Sequence, residues 1–492
     1  MSEHSFANII RKSGTYATAV LATRALSFIL IPLYTRYLTT ADYGVLELLE
    51  LTVNVIILFA GLRLGQALFY FYFSESDPAA RERHMSTNVL ASLALGAGIA
   101  VAAWFASPLL SRFVFGTPQY ARLFRLTAVS IGFAIPMETF LCCLRTFNEP
   151  GMYAWIAIAR TLLAGVLNVV FLVRFRMGVA AMLWSNILSL GLCLVGVAAH
   201  IFRRVPIRFD LASFRQQTRY TVPLSVGSVG EFILNYGDRF FLRKVVSLSA
   251  IGVYSLAYKI GMLIPLVQYP FQLYWGSQEV NIVRQEGGWK KFTRVATYLT
   301  LGLTAVTVVI VLFIDPILRV MVSPGFREAG RYAGWIALAY LIRAVGGYFR
   351  EIFVIEKRPD LDALVSWAGT ALVLAGYAIL IPRMGLWGAV WATLAGFAGQ
   401  FLVSLFVAQK IRRVDYEFSR LAQIAATSIA VVALYGLVQP VGFWMQVALG
   451  MALTALYIGL LLAGGIFSRD ERDYVKAQWR RFTMTPEKTP VR

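Results

Sequence analysis

The sequence predicts an all-α integral membrane protein with fourteen transmembrane helices, arranged as two parallel six-helix repeats followed by two additional helices. The first observation is composition. Of the 492 residues, 58% are hydrophobic and only 15% are charged, whereas a typical soluble domain has about 25% charged residues. The second is a nearly continuous succession of apolar segments of membrane-spanning length. The third is a set of short motifs that recur about 208 residues further along the chain.

Each apolar segment contains the roughly 20 residues that a helix needs to cross the hydrocarbon core. Lipid offers no partners to backbone polar groups, so these segments must be helices, and they lack the strict alternation of a membrane β-barrel strand. The predicted segments are approximately 12–33, 45–72, 86–106, 121–146, 151–173, 178–202, 217–242, 250–275, 293–314, 330–355, 360–381, 386–410, 420–438 and 441–465. The first carries Arg24 in its middle and has no small-residue cleavage site, so we expect a retained helix and not a signal peptide.

The repeated motifs relate the two halves of the chain. Arg176–Val179 recurs as Arg383–Leu386, and Gly44-Val45 recurs as Gly252-Val253. Each repeat contains six predicted helices, an even number that returns the chain to its starting side. The halves therefore have the same orientation and are related by an axis along the membrane normal, as in one class of transporter repeats.

This repeat gives the predicted domain boundaries. We expect an N-terminal six-helix bundle at 1–209, a second bundle at 210–417, two additional transmembrane helices at 418–465 and a cytosolic tail at 466–492. The loops between segments are short, so neither face has room for a soluble catalytic domain. The sequence therefore predicts a protein that is not an enzyme.

The net charge of +20 is explained by membrane topology and does not indicate nucleic-acid binding. If the N-terminus is cytosolic, 27 basic residues lie in the cytosolic loops and tail and 12 in the outer loops. This asymmetry is the positive-inside pattern, and it places both termini in the cytosol. The three cysteines and three histidines are scattered, with no spacing typical of a metal site or a catalytic centre.

Charged residues inside the predicted helices are the candidate functional groups. A charge at the bilayer centre costs about 2.5–3.5 kcal/mol on insertion scales, so such residues face each other or a polar cavity. On the seventh helix, Ser228, Glu231, Asn235 and Asp238 follow helical spacing and form one polar stripe. A similar face on the second helix is formed by Glu47, Glu50, Asn54, Gly61 and Gly65. Polar faces on helices of both halves predict a shared central cavity.

The residue types suggest two roles. Arginine binds phosphate oxygens in pairs and keeps its charge at every relevant pH, so the cations are predicted to bind an anionic substrate. Acidic side chains can carry H+ or Na+, or can form ion pairs such as Arg24 with Glu231. The predicted substrate-binding residues are Arg24, Arg63, Arg160, Arg239, Lys259 and Arg343. The predicted ion-coupling or ion-pairing residues are Glu47, Glu50, Glu231, Asn235 and Asp238. We expect no metal and no organic cofactor.

The segment Ile31–Leu38, followed by Asp42–Val45, resembles the opening of the polysaccharide-transport family, the Wzx-type flippases of lipid-linked oligosaccharides. The helix count and the two repeats are also similar to that family and to its superfamily (MOP), which includes the lipid II flippase MurJ and the MATE multidrug exporters. The resemblance implies two six-helix bundles in a V shape that open alternately to each side. It also implies that Arg24 is a cavity cation, with Lys259 and Arg343 as counterparts in the second half.

The implied substrate is an oligosaccharide linked to undecaprenyl pyrophosphate, moved from the cytosolic to the outer leaflet of the bacterial inner membrane for surface polysaccharide synthesis. Membrane lipids are the expected surroundings and a monomer the expected state. A polysaccharide polymerase as partner, the glycan (O-antigen or exopolysaccharide) and the coupling ion are left open. Two alternatives are an ion-coupled multidrug exporter of the same superfamily and a membrane-embedded glycan polymerase or ligase. The second would need a substantial outer loop, which the sequence lacks.

Overall fold

The computed structural model describes residues 22–61 and 63–466, which are almost entirely helical and contain no β-strand. A π-helical turn, Val170–Arg174, continues the helix Pro150–Val169, and short 3-10 helices cover Pro118–Tyr120 and Pro324–Ala329. The α-helices are α1 (22–29), α2 (Ile31–Tyr37), α3 (Thr40–Ala60), α4 (Leu64–Ser74), α5 (Pro78–Phe105), α6 (Ser107–Phe115), α7 (Ala121–Thr146), α8 (Pro150–Val169), α9 (Val179–Phe202), α10 (Leu211–Tyr236), α11 (Asp238–Leu242), α12 (Leu248–Gly261), α13 (Leu263–Val283), α14 (Gly288–Met321), α15 (Gly330–Ile355), α16 (Pro359–Met384), α17 (Leu386–Ile411), α18 (Phe418–Val438) and α19 (Phe443–Ala463).

Eleven helical stretches of the described chain are long and apolar enough to cross a membrane, which confirms a multi-pass, all-helical membrane protein. Three predicted spans are not among them. The first, 12–33, lies partly outside the described residues. The seventh and tenth are formed by α10 with α11 and by α15, which are long enough but carry several charged side chains, including Glu231 and Arg343. The total of fourteen stays a prediction.

Two predicted spans are interrupted instead of continuous. The second is divided into α3 and α4 around Gly61, and the chain re-enters the helix through Arg63, whose φ of 44° is left-handed. The eighth is divided into α12 and α13 at Met262, shortly before Pro265. A proline inside a helix removes one backbone hydrogen bond and clashes with the preceding turn, so it favours a break at this point.

Prolines and glycines that recur about 208 residues apart mark helix starts at equivalent places in the two halves. Pro150 and Pro359 are the first residues of α8 and α16, where a missing N–H is tolerated and the fixed φ suits a helix. Gly178 and Gly385 directly precede α9 and α17, and both have a φ of 57°, a conformation that favours glycine. The sequence repeat is therefore also a repeat of backbone conformation.

The best-defined contact between the halves is a close crossing of α3 and α12 at Gly44 and Gly252. A Cβ added at Gly44 would lie 2.0 Å from the Leu248 carbonyl oxygen, and one added at Gly252 would lie 2.0 Å from the Thr40 carbonyl oxygen. The two glycines are repeat equivalents, and so are the two residues they contact. The helices thus cross symmetrically, with backbone against backbone.

The first half also contacts the start of α10 through buried polar groups. Asn88 on α5 donates to Gln217 Oε1 at 2.5 Å, and Gln217 Nε2 donates to the His84 carbonyl oxygen at 3.0 Å. Ser213 Oγ shares a hydrogen bond of 2.6 Å with His84 Nδ1. Buried polar groups need such partners, so this network fixes the start of α10 against α5.

By its internal contacts, the chain forms two compact units. The first contains Met1–Gln278 and Leu318–Arg412, with a core in which Phe140, Cys143 and Leu144 are fully buried. The second contains Glu279–Ile317 and Arg413–Arg492, where part of α14 packs with α18 and α19. The predicted boundaries at 209, 417 and 465 follow the repeat and stay a prediction.

Candidate functional site

A cavity of about 390 Å³, lined by both polar and apolar side chains, lies inside the first unit, between α10, α13, α15 and α17. These helices bring three predicted site residues together, Glu231 and Asn235 from α10 and Arg343 from α15. The cavity volume falls within the range of small-molecule sites, about 300–1,000 Å³. A polar chamber among membrane-spanning helices is the expected place for a transported polar group.

Arg343 is held by groups from α10. Its Nη2 donates to Glu231 Oε1, and its Nη1 donates to Asn235 Oδ1 at 2.6 Å. Asn235 Nδ2 donates in turn to Glu231 Oε1 at 3.1 Å, and the Tyr340 hydroxyl donates to Asn235 Oδ1 at 3.2 Å. The guanidinium also lies 5.0 Å from the centre of the Phe397 ring. Arg343 is therefore neutralised, while the Glu231 side chain, which lines the cavity, stays 61% exposed.

A second arginine of the cavity wall, Arg350, also forms hydrogen bonds with other groups of the protein. Arg350 Nε donates to Asp362 Oδ1 at 2.7 Å, and its Nη2 donates to Ser366 Oγ at 2.6 Å. Both partners belong to α16. The two cavity arginines thus each contact a carboxylate of the protein, so the cavity carries little net charge.

Uncharged amides and aromatic rings complete the wall. Gln268 and Gln272 project from α13, and Gln400 from α17. Gln268 Nε2 reaches the Ala344 carbonyl oxygen only at 3.5 Å, Gln272 is exposed to the cavity, and the buried Nε2 of Gln400 has no acceptor among the described residues. The prediction from the sequence did not include these glutamines because it considered mainly charged side chains. Glutamine in an otherwise apolar helix was the available signal.

A separate buried cluster surrounds Arg239 on α11. Its Nη1 donates to Asp238 Oδ1 at 2.8 Å, and its Nε lies 3.5 Å from Glu47 Oε1 on α3. The Tyr254 hydroxyl donates to Asp238 Oδ2 at 2.6 Å, and the ring of Tyr258 lies 3.8 Å below the guanidinium carbon. Arg239 and Asp238 are 1% and 0% exposed, so this ion pair is sealed within the protein.

Lys259 occupies the same buried region. Its Nζ donates to the Tyr43 hydroxyl at 2.9 Å, and its charge interacts with Glu47 and Glu50. Since Tyr43 adjoins Gly44 on α3, these contacts lie beside the α3–α12 crossing. Five predicted site residues therefore form one cluster of opposite charges outside the cavity wall, in which Glu47, Asp238 and Arg239 are buried, Lys259 is half-buried and Glu50 is exposed.

The three remaining predicted cations belong to the first half. Arg24 on α1 is exposed, and its charge acts on the hydroxyl of Tyr236, a cavity residue. Arg63 donates to Ser228 Oγ on α10, one turn before Glu231. Arg160 on α8 is half-buried near Tyr153. Within residues 22–61 and 63–466, none of these arginines forms an ion pair at salt-bridge distance.

One specific pairing differs from its expectation. The sequence allows an ion pair between Arg24 and Glu231 inside the membrane. In the structure, Glu231 contacts Arg343. The reason is tertiary. α15 places Arg343 directly opposite the Glu231–Asn235 face of α10, and a residue 112 positions away along the chain becomes the nearest cation. The assignment of each predicted residue to substrate binding or ion coupling stays a prediction.

The chain is similar in sequence to a known protein family. The model of the polysaccharide biosynthesis protein family matches residues 9–272, which is more than half of the chain. No protein with a curated function matches by sequence.

Solved structures show the fold. A lipid II flippase MurJ in an inward closed conformation is similar with a TM-score of 0.72 at 13% identity, covering 92% of this chain and 99% of that chain. A multidrug resistance MATE transporter of the MOP superfamily, inward-facing, gives 0.63 at 14% identity, covering 80% and 98%. An outward-facing MATE structure gives 0.55 at 15%, covering 82% and 94%. These likenesses confirm an all-helical fold of the kind that MurJ and the MATE transporters have. The chain belongs to the polysaccharide biosynthesis protein family, the Wzx-type flippase family that its opening residues resemble.

Proposed function

We propose that the protein is a flippase that moves an oligosaccharide linked to undecaprenyl pyrophosphate from the cytosolic to the outer leaflet of the bacterial inner membrane. The observation that carries this proposal is the cavity between α10, α13, α15 and α17 of the first unit, with Glu231, Asn235 and Arg343 on its wall. A polar headgroup needs such a chamber to pass the hydrocarbon core, while its lipid tail can stay in the bilayer. Family membership supports a role in surface polysaccharide synthesis.

The distribution of ion pairs suggests how the cations divide their work. Arg24, Arg63 and Arg160 have no carboxylate at salt-bridge distance in the part of the chain that the structure describes. A guanidinium without a carboxylate can give both of its parallel N–H groups to a phosphate. We assign the pyrophosphate to these arginines of the first half.

The buried cluster supports a role in the conformational cycle. Its opposite charges come from α3 in the first half and from α11 and α12 in the second. Breaking such pairs exposes charges that need water or ions, so separation of α3 from α12 would be linked to solvation or protonation of Glu47 and Glu50. This is the basis for proposing H+ or Na+ coupling in an alternating-access cycle, with the protein acting as a monomer.

The test is lipid analysis of a strain that lacks the protein. We expect an undecaprenyl-pyrophosphate-linked oligosaccharide to accumulate on the cytosolic side and surface polysaccharide to disappear. Loss of polysaccharide without the accumulated lipid would point to a different step, and normal polysaccharide would refute the proposal. The accumulated lipid identifies the glycan.

Complementation with Arg24→Ala tests the phosphate assignment. Loss of a charge-assisted hydrogen bond costs about 1.5–3 kcal/mol, so we expect surface polysaccharide to fall roughly tenfold or more at unchanged protein level. Arg112→Ala is the matched control, because Arg112 is an exposed arginine on α6, away from the cavity. Equal polysaccharide from both variants would contradict the assignment.

One observation favours a second candidate, an ion-coupled multidrug exporter. The Glu231 side chain is 61% exposed and lines a cavity that aromatic residues also line, a combination that suits a cationic, apolar drug. This candidate predicts drug sensitivity of the deletion strain with normal surface polysaccharide. The flippase predicts the reverse.

A further inference from the structure

The linker between the two halves, residues 203–210, is fixed along the side of α5. The Arg208 N–H donates to Ser86 Oγ at 2.8 Å, and Ser86 Oγ donates to the Arg208 carbonyl oxygen at 2.6 Å. The Asp210 N–H donates to Thr87 Oγ1 at 3.1 Å. Ser86 and Thr87 are fully buried. The linker is therefore held in one place by its backbone.

The contact with α5 sets the depth of the linker in the membrane. The charged residues in the first turns of α5 end at Arg83, and residues 86–105 carry no charge. At 1.5 Å per residue this uncharged stretch is about 30 Å long, the thickness of the hydrocarbon core. Ser86 thus marks the edge of the core, and the linker beside it lies between headgroups and acyl chains. Its extended backbone can lie there because Ser86 and Thr87 supply hydrogen-bond partners.

Large apolar side chains are displayed at this depth. Ile207, Phe209 and Leu211 are 73%, 53% and 52% exposed, although they lie close together along the chain. Exposed apolar groups that cluster in this way mark a surface with a partner, since each would lose its favourable burial if it stayed in water. At the level of Ser86 that partner is the bilayer, because the acyl chains begin there.

Two arginines extend the same surface along α10. Arg215 and Arg219 are exposed, and in the described part of the chain neither has a carboxylate at salt-bridge distance. They follow Leu211 at intervals of four, so the three share one face of the helix, whereas Ser213 and Gln217 on the opposite face contact α5. A guanidinium without a carboxylate binds phosphate oxygens through parallel N–H groups, and long side chains at the edge of the core extend to the headgroups. This face therefore fits phosphates above acyl chains, as interfacial segments do.

We propose that the linker and the first turns of α10 form an anchor that binds anionic phospholipids of the inner leaflet. Ile207, Phe209 and Leu211 enter the acyl boundary, and Arg215 and Arg219 contact the phosphates. The inner leaflet follows from the excess of basic residues on this side of the chain. Phosphatidylglycerol fits better than a zwitterionic lipid, since each cation near an anionic surface adds a favourable electrostatic contribution. Such an anchor does not depend on the transported substrate, so it goes beyond the proposed flippase function.

A fluorophore on the linker measures both depth and lipid preference in the full-length protein. Ile207→Cys carries the label, and Cys193→Ala removes the native cysteine that is not buried. The protein is placed in vesicles of equal parts phosphatidylglycerol and phosphatidylcholine, with quenching bromine atoms on the acyl chains of one lipid at a time. We expect both lipids to quench the label, with a local excess of phosphatidylglycerol of about fivefold, which one cation near an anionic surface provides.

Two double variants test the role of the arginines. Arg215→Gln with Arg219→Gln should remove most of the phosphatidylglycerol excess and leave quenching by phosphatidylcholine unchanged, which also shows that the fold persists. Arg112→Gln with Arg122→Gln is the matched control. It removes two exposed arginines at the end of α6 and the start of α7, and it should change neither value.

A label in the aqueous phase gives the reference for depth. At Glu82→Cys, an exposed position in the charged first turns of α5, either lipid should quench the label far less than at position 207. Equal quenching at both positions would place the linker in water and overturn the anchor. Quenching at position 207 without a phosphatidylglycerol excess, or with an excess that survives the loss of Arg215 and Arg219, would overturn the headgroup assignment. The flippase proposal stands in each case, because no measurement involves its glycan.

Discussion

Replacing Asp238 by alanine is expected to destabilise the protein by about 3–5 kcal/mol, the range for removing one partner of a buried ion pair. Asp238 is fully buried and accepts hydrogen bonds from Arg239 Nη1 and from the Tyr254 hydroxyl. Its loss leaves Arg239 with Glu47, at 3.5 Å, as the nearest remaining carboxylate. The Tyr254 hydroxyl loses its acceptor at the same time. The measurement is thermal unfolding of the purified protein in detergent.

A double variant tests whether the unpaired charge causes this loss. Asp238→Leu with Arg239→Met removes both charges and keeps apolar volume, so it should recover much of the stability that Asp238→Ala loses. Glu328→Ala is the control, because Glu328 contacts Arg331 in an exposed pair and such pairs contribute little. A melting temperature of Asp238→Ala equal to that of Glu328→Ala would show that the ion pair is not structural.

The sequence identified the helices well because their signal is local. A continuous apolar segment of spanning length allows one structure in a bilayer, and the repeated prolines and glycines lie where helices begin in both halves. The interruptions were missed. Gly61 and Met262 lie inside segments that stay apolar over a spanning length, and the local signals beside them, Arg63 and Pro265, do not divide such a segment by composition.

The site was predictable only in part, because it depends on contacts between distant helices. The polar stripe on the seventh helix placed Glu231 and Asn235 on one face, and both line the cavity. The same stripe included Asp238, but the helix is interrupted at Gly237 and Asp238 turns to Arg239 and Tyr254. Which cation meets Glu231 is decided by the packing of α10 against α15. A one-dimensional pattern does not contain that information.

A single methyl group at Gly44 or Gly252 is expected to force α3 and α12 apart. The added Cβ would lie 2.0 Å from a carbonyl oxygen of the opposite helix, at Leu248 or Thr40. These are backbone atoms, which cannot move away as a flexible side chain would. Overpacking typically costs about 1–3 kcal/mol. Here it would also disturb the Lys259–Tyr43 contact beside the crossing, so Gly44→Ala and Gly252→Ala should each clearly lower the melting temperature.

The repeat makes this prediction sharper than a test of one position. Both glycines lie at the same crossing, and an alanine at either position already separates the two helices. The double variant should therefore lose less stability than the sum of the two single variants, since residues in direct contact are not additive. Gly98→Ala is the matched control. Gly98 lies within α5, a Cβ there meets nothing within 4 Å, and alanine favours a helix over glycine by about 1 kcal/mol. Its melting temperature should stay equal or rise. If Gly44→Ala behaves like Gly98→Ala, or if the two crossing glycines act additively, the helices do not depend on this contact. The symmetric contact between α3 and α12 would then depend on other residues.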